Sequence, residues 1–162
     1  MGEIVRLKTS NAYRAAPAGK PRGGVVVIQE VFGLNRWVRR IVDDYAREGY
    51  LAIAPAMFDR IEPGYETEDY EGARARIGEL LRHLTPDNGL RDVAAAVDAV
   101  RIAGKVGITG FCFGGMISWR AAHAGLGLSA ASGYYGGEVP NYIDLAPSIP
   151  IEMHFGDKDT GI

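Results

Sequence analysis

The chain predicts an α/β fold: a doubly wound, mainly parallel sheet with helices on both faces. Two observations carry this. Short apolar or β-branched runs alternate with stretches whose apolar residues recur at helical spacing, and glycine, proline and asparagine punctuate the joins. Such alternation is what parallel strands require, because each crossover must travel back along the sheet. A third observation fixes the point of interest. Residues 107–115 read Gly-Ile-Thr-Gly-Phe-Cys-Phe-Gly-Gly, with the single cysteine, Cys112, in a Gly-x-Cys-x-Gly strand-to-helix turn.

Each element follows in order. Residues 3–8 alternate polar and apolar and read as an edge strand. Residues 17–24 form a turn-rich loop before Val25-Val26-Val27-Ile28, a run suited to burial on both sheet faces. Apolar residues at 37, 38, 41, 42, 45 and 46 predict a helix over 36–48, with Asn35 as N-cap and Gly49 just past its end. Tyr50 to Ala54 is a strand, ended by Pro55, and 56–66 a loop. The spacing then predicts a helix over about 68–84, a break at Pro86, and a helix over about 90–103. Lys105 to Thr109 leads as a strand into the Cys112 turn, and a helix over about 115–123 follows. Residues 128–134 and 149–155 are the last strands.

At 162 residues the chain is a single domain, large enough to bury a core. A net charge of −2 gives no reason to expect nucleic acid or an anionic membrane surface. No apolar run approaches the roughly 20 residues of a spanning helix, and the N-terminus lacks an apolar signal core. A cytoplasmic address is expected. One cysteine excludes an intrachain disulfide, and no Cys/His spacing suits a metal. Neither a metal nor a cofactor is expected.

Active sites of doubly wound sheets lie at the carboxyl ends of the strands. Glu30, Cys112 and Asp159 each follow a predicted strand closely. Cys112 alone could be a small buried apolar residue. The glycines at 110, 114 and 115, the strand before it and the helix after it favour a nucleophile, with the helix N-terminus favouring thiolate. Glu30 is either a solvated loop carboxylate or a partly buried one in need of a partner, for which a thiol would serve. The backbone N–H groups of Val31 and Phe113 are placed to form an oxyanion hole. Asp159, in His154-Phe155-Gly156-Asp157-Lys158-Asp159, is either a turn residue or the carboxylate that orients a histidine. The three histidines are His83, His123 and His154, and none follows Asp159.

These segments together resemble the dienelactone hydrolase (carboxymethylenebutenolidase) family, a branch of the α/β-hydrolases with a Cys-His-Asp triad. The likeness runs through Gln29-Glu30-Val31-Phe32-Gly33-Leu34-Asn35, Ala54-Pro55-Ala56-Met57-Phe58, Gly110-Phe111-Cys112-Phe113-Gly114-Gly115 and the segment 154–159. It implies Cys112 as nucleophile, Asp159 as triad acid, and Glu30 as the group that holds the resting thiol and takes its proton. It also implies an arginine for a substrate carboxylate, for which Arg74 falls in the matching region. Family members exceed 200 residues, and their triad histidine lies past the position matching Ile162. The expectation is an α/β-hydrolase domain over 1–162 that is incomplete at its C-terminus, exposes a sheet edge, and could form a homodimer there.

The expected activity is hydrolysis of a small ester or lactone through a thioester on Cys112. The alternative is a catalytically incomplete hydrolase-fold piece that binds or dimerises without turnover. Redox chemistry has only one cysteine to use. Dinucleotide binding lacks its Gly-x-Gly-x-x-Gly pattern.

Overall fold

The computed structural model describes residues 1–161, apart from the Pro86 side chain. Seven strands form one sheet: β1 (Glu3–Arg6), β2 (Asn11–Ala15), β3 (Gly24–Ile28), β4 (Leu51–Pro55), β5 (Val106–Phe111), β6 (Ala130–Tyr134) and β7 (Ile151–His154). Their spatial order is β1-β2-β4-β3-β5-β6-β7. The five strands from β4 to β7 run parallel, while β1 and β2 add an antiparallel edge. The order reverses at β3, the switch point where such sheets open a crevice.

Four helices cover the sheet: α1 (Arg36–Arg47), α2 (Arg74–His83), α3 (Pro86–Val100) and α4 (Phe113–Ala121). Strand periodicity divides the apolar residues between two cores. Val25, Val27, Ala52 and Ala54 face α1, which packs through Val38, Val42 and Ala46. Val26, Ile28, Ile53 and Ile108 lie in the other core with Val93, Val97 and Ile117 of α3 and α4. Each fully buried aliphatic side chain contributes about 1.5–3 kcal/mol.

Local chemistry sets the helix boundaries. The Asn35 side chain accepts hydrogen bonds from the N–H groups of Trp37 and Val38, and Gly49 takes φ +93° just past the end of α1. α2 begins later than its periodicity predicts. The Asp69 carboxylate accepts the Gly72 N–H at 2.9 Å and ties residues 69–72 into a turn. α3 begins earlier than expected. Thr85 caps it, and Pro86 occupies its first turn, where a missing N–H costs nothing. β2 carries no β-branched residue, and it forms because both of its edges find strand partners.

The loops at the carboxyl ends of β3 and β4 are braced against each other. Thr67 N–H donates to the Phe32 carbonyl at 3.0 Å, and the rings of Phe32 and Tyr70 lie 4.1 Å apart. The buried Asp59 carboxylate accepts N–H groups from Asn11 and Gly64 at 2.8 and 2.9 Å. Arg60 pairs with the fully buried Asp92 of α3 at 2.6 Å. On the α1 side of β5 and β6 the sheet is bare. Gly107, Thr109, Ala130 and Ser132 floor an open groove of about 590 Å³, with Tyr45 and Tyr50 in its wall.

Candidate active site

Cys112 stands between β5 and α4 with φ 53° and ψ −117°, a conformation that L-residues rarely adopt. Surrounding structure imposes it. Cys112 N–H donates to the Tyr134 carbonyl at 3.0 Å, while its own carbonyl accepts the N–H groups of Gly115 at 2.9 Å and Met116 at 3.3 Å. The turn is close-packed. A Cβ on Gly110 would lie 2.1 Å from the Gly114 carbonyl oxygen, and one on Gly114 would lie 2.5 Å from that of Ile28. The glycines at 110 and 114 are thus needed for β5 and α4 to close on the β3 loop. Strain of this kind, about 1–3 kcal/mol, is held where a reactive side chain must be aimed.

The thiol opens into a pocket of about 610 Å³. Val31 and Phe113 line it beside Cys112, Tyr135 and Tyr142 form further walls, and Arg82 stands at its rim. Among the described residues, the Val31 N–H donates to no backbone acceptor, and Val31 faces the same pocket. The two expected oxyanion donors are therefore both at the pocket wall.

Glu30 lies half-buried at the end of β3 and accepts a hydrogen bond from the Tyr135 hydroxyl at 3.2 Å. Burial pushes its carboxyl up from the usual range, and the Tyr135 bond opposes this in part. Burial also pushes the Cys112 thiol up. The Phe113 N–H pulls it down, and the Glu30 charge adds to the rise. Burial and the Glu30 charge thus outweigh the pull of the helix N-terminus and favour the protonated thiol, next to a carboxyl group whose affinity for protons is raised. Tyr135 is raised strongly, first by burial and then by the Glu30 charge.

Tyr135 was not among the residues expected from the sequence. It directly follows β6 and holds a positive φ of 40°, so the strand-end rule that selects Glu30 and Cys112 selects it too. The signal was Gly133-Tyr134-Tyr135-Gly136-Gly137, a glycine-flanked turn at a strand end. Arg82 is the second addition. Arg74, at the start of α2, is exposed and does not line the pocket; Arg82, in the last turn of the same helix, does.

Asp159 is exposed, and its carboxylate accepts the Gly161 N–H at 2.9 Å within its own turn. No histidine among the described residues lines the pocket. The His154 ring stacks on Tyr134 with centroids 4.4 Å apart, its Nε2 3.7 Å from Glu152. The rings of Phe111, Tyr134 and His154 form a ladder across the ends of β5, β6 and β7. His123 is occupied by the carbonyls of Trp119 and Leu145, both at 2.6 Å. The structure thus gathers Glu30, Val31, Cys112 and Phe113 into one site and leaves Asp159 and Arg74 outside it. No helix is long and apolar enough to cross a membrane, and no cluster of candidate metal ligands occurs among the described residues.

A mostly parallel sheet wrapped by helices, with a strained Gly-x-Cys-x-Gly turn between β5 and α4, defines an α/β-hydrolase-fold protein. The chain belongs to the dienelactone hydrolase family, whose model matches residues 10–162. Carboxymethylenebutenolidase of Pseudomonas putida is 30% identical over 158 residues, covering 93% of this chain and 66% of that protein. Carboxymethylenebutenolidase 1 of Cupriavidus pinatubonensis is 28% identical, with 91% and 66% covered. Among solved structures, a candidate dienelactone hydrolase of Klebsiella pneumoniae superposes with a TM-score of 0.71 at 30% identity, over 83% of this chain and 59% of that one. The chain thus spans just under two thirds of the length of these relatives.

Proposed function

We propose that the chain carries the nucleophile half of a cysteine-dependent hydrolase acting on a small ester or lactone. The observation that carries this reading is the aim of Cys112 into a pocket lined by Val31, Phe113 and Tyr135, with Glu30 beside it. Substrate enters against Phe113 and Val31. The thiol proton passes to Glu30, whose raised proton affinity suits it as acceptor. Sulfur attacks the acyl carbon, the carbonyl oxygen takes negative charge facing the two N–H groups, and the C–O bond breaks as the thioester forms, the leaving alkoxide taking the proton back from Glu30 to depart as the alcohol. Water then cleaves the thioester. Asp159 is the proposed orienting carboxylate for a histidine in that step, and Arg74 or Arg82 the proposed contact for an anionic substrate group. The names of the family's members point to lactones.

The test is mass spectrometry after exposure to an activated aryl ester. An acyl adduct on Cys112, absent from Cys112→Ala, is the expected result. A wild-type chain no more readily acylated than a free thiol would sink the reading.

A second reading has its own support: no described histidine lines the pocket. In it, the chain binds, acylates or pairs with a second copy through the open edge at β7, but does not turn over. A stoichiometric adduct without sustained product release distinguishes it from the first. The unpaired cysteine suits a reducing compartment, and a cytoplasmic address belongs to both readings.

A further inference from the structure

Gln29 is a fully buried polar residue between β3 and the site. Its side-chain oxygen accepts the Met57 N–H at 3.1 Å, from the turn after β4, and its side-chain nitrogen donates to the Glu30 carbonyl at 3.2 Å. Each half of the amide therefore has one backbone partner, so its orientation is fixed by the chemistry of both.

The Glu30 carbonyl belongs to the same peptide unit as the Val31 N–H. A trans peptide is planar, and its C=O and N–H point in opposite directions. We infer that Gln29 is the positioning residue of the oxyanion hole: by anchoring the Glu30 carbonyl inward, it turns the Val31 N–H outward to the pocket. This inference rests on the proposed acyl chemistry at Cys112. Three further observations support it. Val31 lines the pocket, and its N–H has no backbone acceptor among the described residues. The backbone of Ile28 and Gln29 is pressed against Gly114, so the anchor cannot slide away from α4. A hydrogen bond accepted by one end of a peptide also polarises the N–H at its other end, which strengthens it as a donor. Among the described residues the Gln29 amide is the donor that holds the Glu30 carbonyl, so its loss frees the 30–31 peptide to flip and present an oxygen to the developing oxyanion.

The test separates acyl transfer from simple thiol reactivity. Acylation of Cys112 by p-nitrophenyl acetate forms an S–C bond, expels nitrophenolate and passes through an oxyanion. Alkylation by iodoacetamide expels iodide and does not. The ratio of the two rates cancels the thiolate fraction and reports the hole. Gln29→Met, of similar size but without the donor, is expected to lower the ratio by about 10²-fold with little change in alkylation. Gln29→Glu keeps the acceptor for Met57 and provides a second variant should the first not fold. Its ratio is expected to fall with rising pH, because an ionised carboxylate cannot donate to the Glu30 carbonyl, and to recover at low pH. The other titratable groups of the region, Glu30, Cys112, Tyr135, Asp59 and Arg60, are common to both proteins and cancel at each pH. A wild-type ratio matched by the folded variants at every pH would overturn this inference alone. A wild-type ratio no higher than that of free cysteine would overturn it together with the acyl chemistry.

Discussion

Glu30 and Tyr135 form a hydrogen-bonded pair beside Cys112. The Glu30 carboxyl titrates higher in the folded chain than in the unfolded one, chiefly through burial. The folded state therefore favours the neutral form. Its contribution to stability is full below the unfolded value and is lost as pH rises through the folded one. Glu30→Gln is accordingly expected to be more stable than wild type at neutral pH, with the difference vanishing in acid. Urea midpoints measured across that range check this; a variant less stable at neutral pH would contradict it. Tyr135 opposes the rise by donating to the carboxylate. Tyr135→Phe removes that bond, so the Glu30 value climbs further. If Glu30 must be ionised to accept the thiol proton, the acid limb of Cys112 acylation moves to higher pH in the variant. An unmoved limb would mean that Glu30 is not the acceptor. Cys112 and Glu30 were legible in the sequence because strand ends and glycine spacing mark them. Tyr135 also stands at a glycine-flanked strand end, but its role was not legible, because its contact with Glu30 spans 105 residues and no local pattern encodes that contact.

The elements show where sequence patterns compete. The helix over 36–47 was legible because periodicity, N-cap and terminal glycine agree. The start of α2 was not, because the Thr67 hydroxyl accepts the Asp69 N–H and the Asp69 carboxylate accepts the Gly72 N–H, in place of helical turns. Pro86 has two meanings, breaker and first-turn residue, and Thr85 decides for the second. α3 has a further role. Its Asp92 is fully buried and bonds Arg60 through both Nε, at 3.3 Å, and Nη2, at 2.6 Å, clamping the loop after β4 onto the helix. Arg60→Met leaves a buried carboxylate unpaired and is expected to cost about 3 kcal/mol. Adding Asp92→Leu removes the orphaned charge and should recover much of that loss. Chemical denaturation of the single and double variants measures both, and a harmless Arg60→Met would show that solvent already satisfies Asp92.

For the whole molecule, the decisive feature is the asymmetry of cover. One end of the sheet finishes in the antiparallel strands β1 and β2, the other in the parallel strand β7, with one edge of that strand unpaired within the sheet. Ile143, Leu145 and Phe155, in the segments on either side of β7, are 61%, 42% and 51% exposed. The bare groove over β5 and β6 adds apolar surface on the α1 side. The parallel core was legible from strand-helix alternation. The antiparallel edge was only half legible, since β2 forms by pairing and not by propensity. An open parallel edge next to exposed apolar side chains is a template for another strand. The chain is expected to self-associate as its concentration rises, with β7 at the contact. Sedimentation velocity over a range of concentrations reads this directly. Phe155→Lys adds charge beside that edge without entering the core, and should shift the distribution toward monomer. A wild-type chain that sediments as a monomer throughout would show that the edge is protected by its own flanking segments.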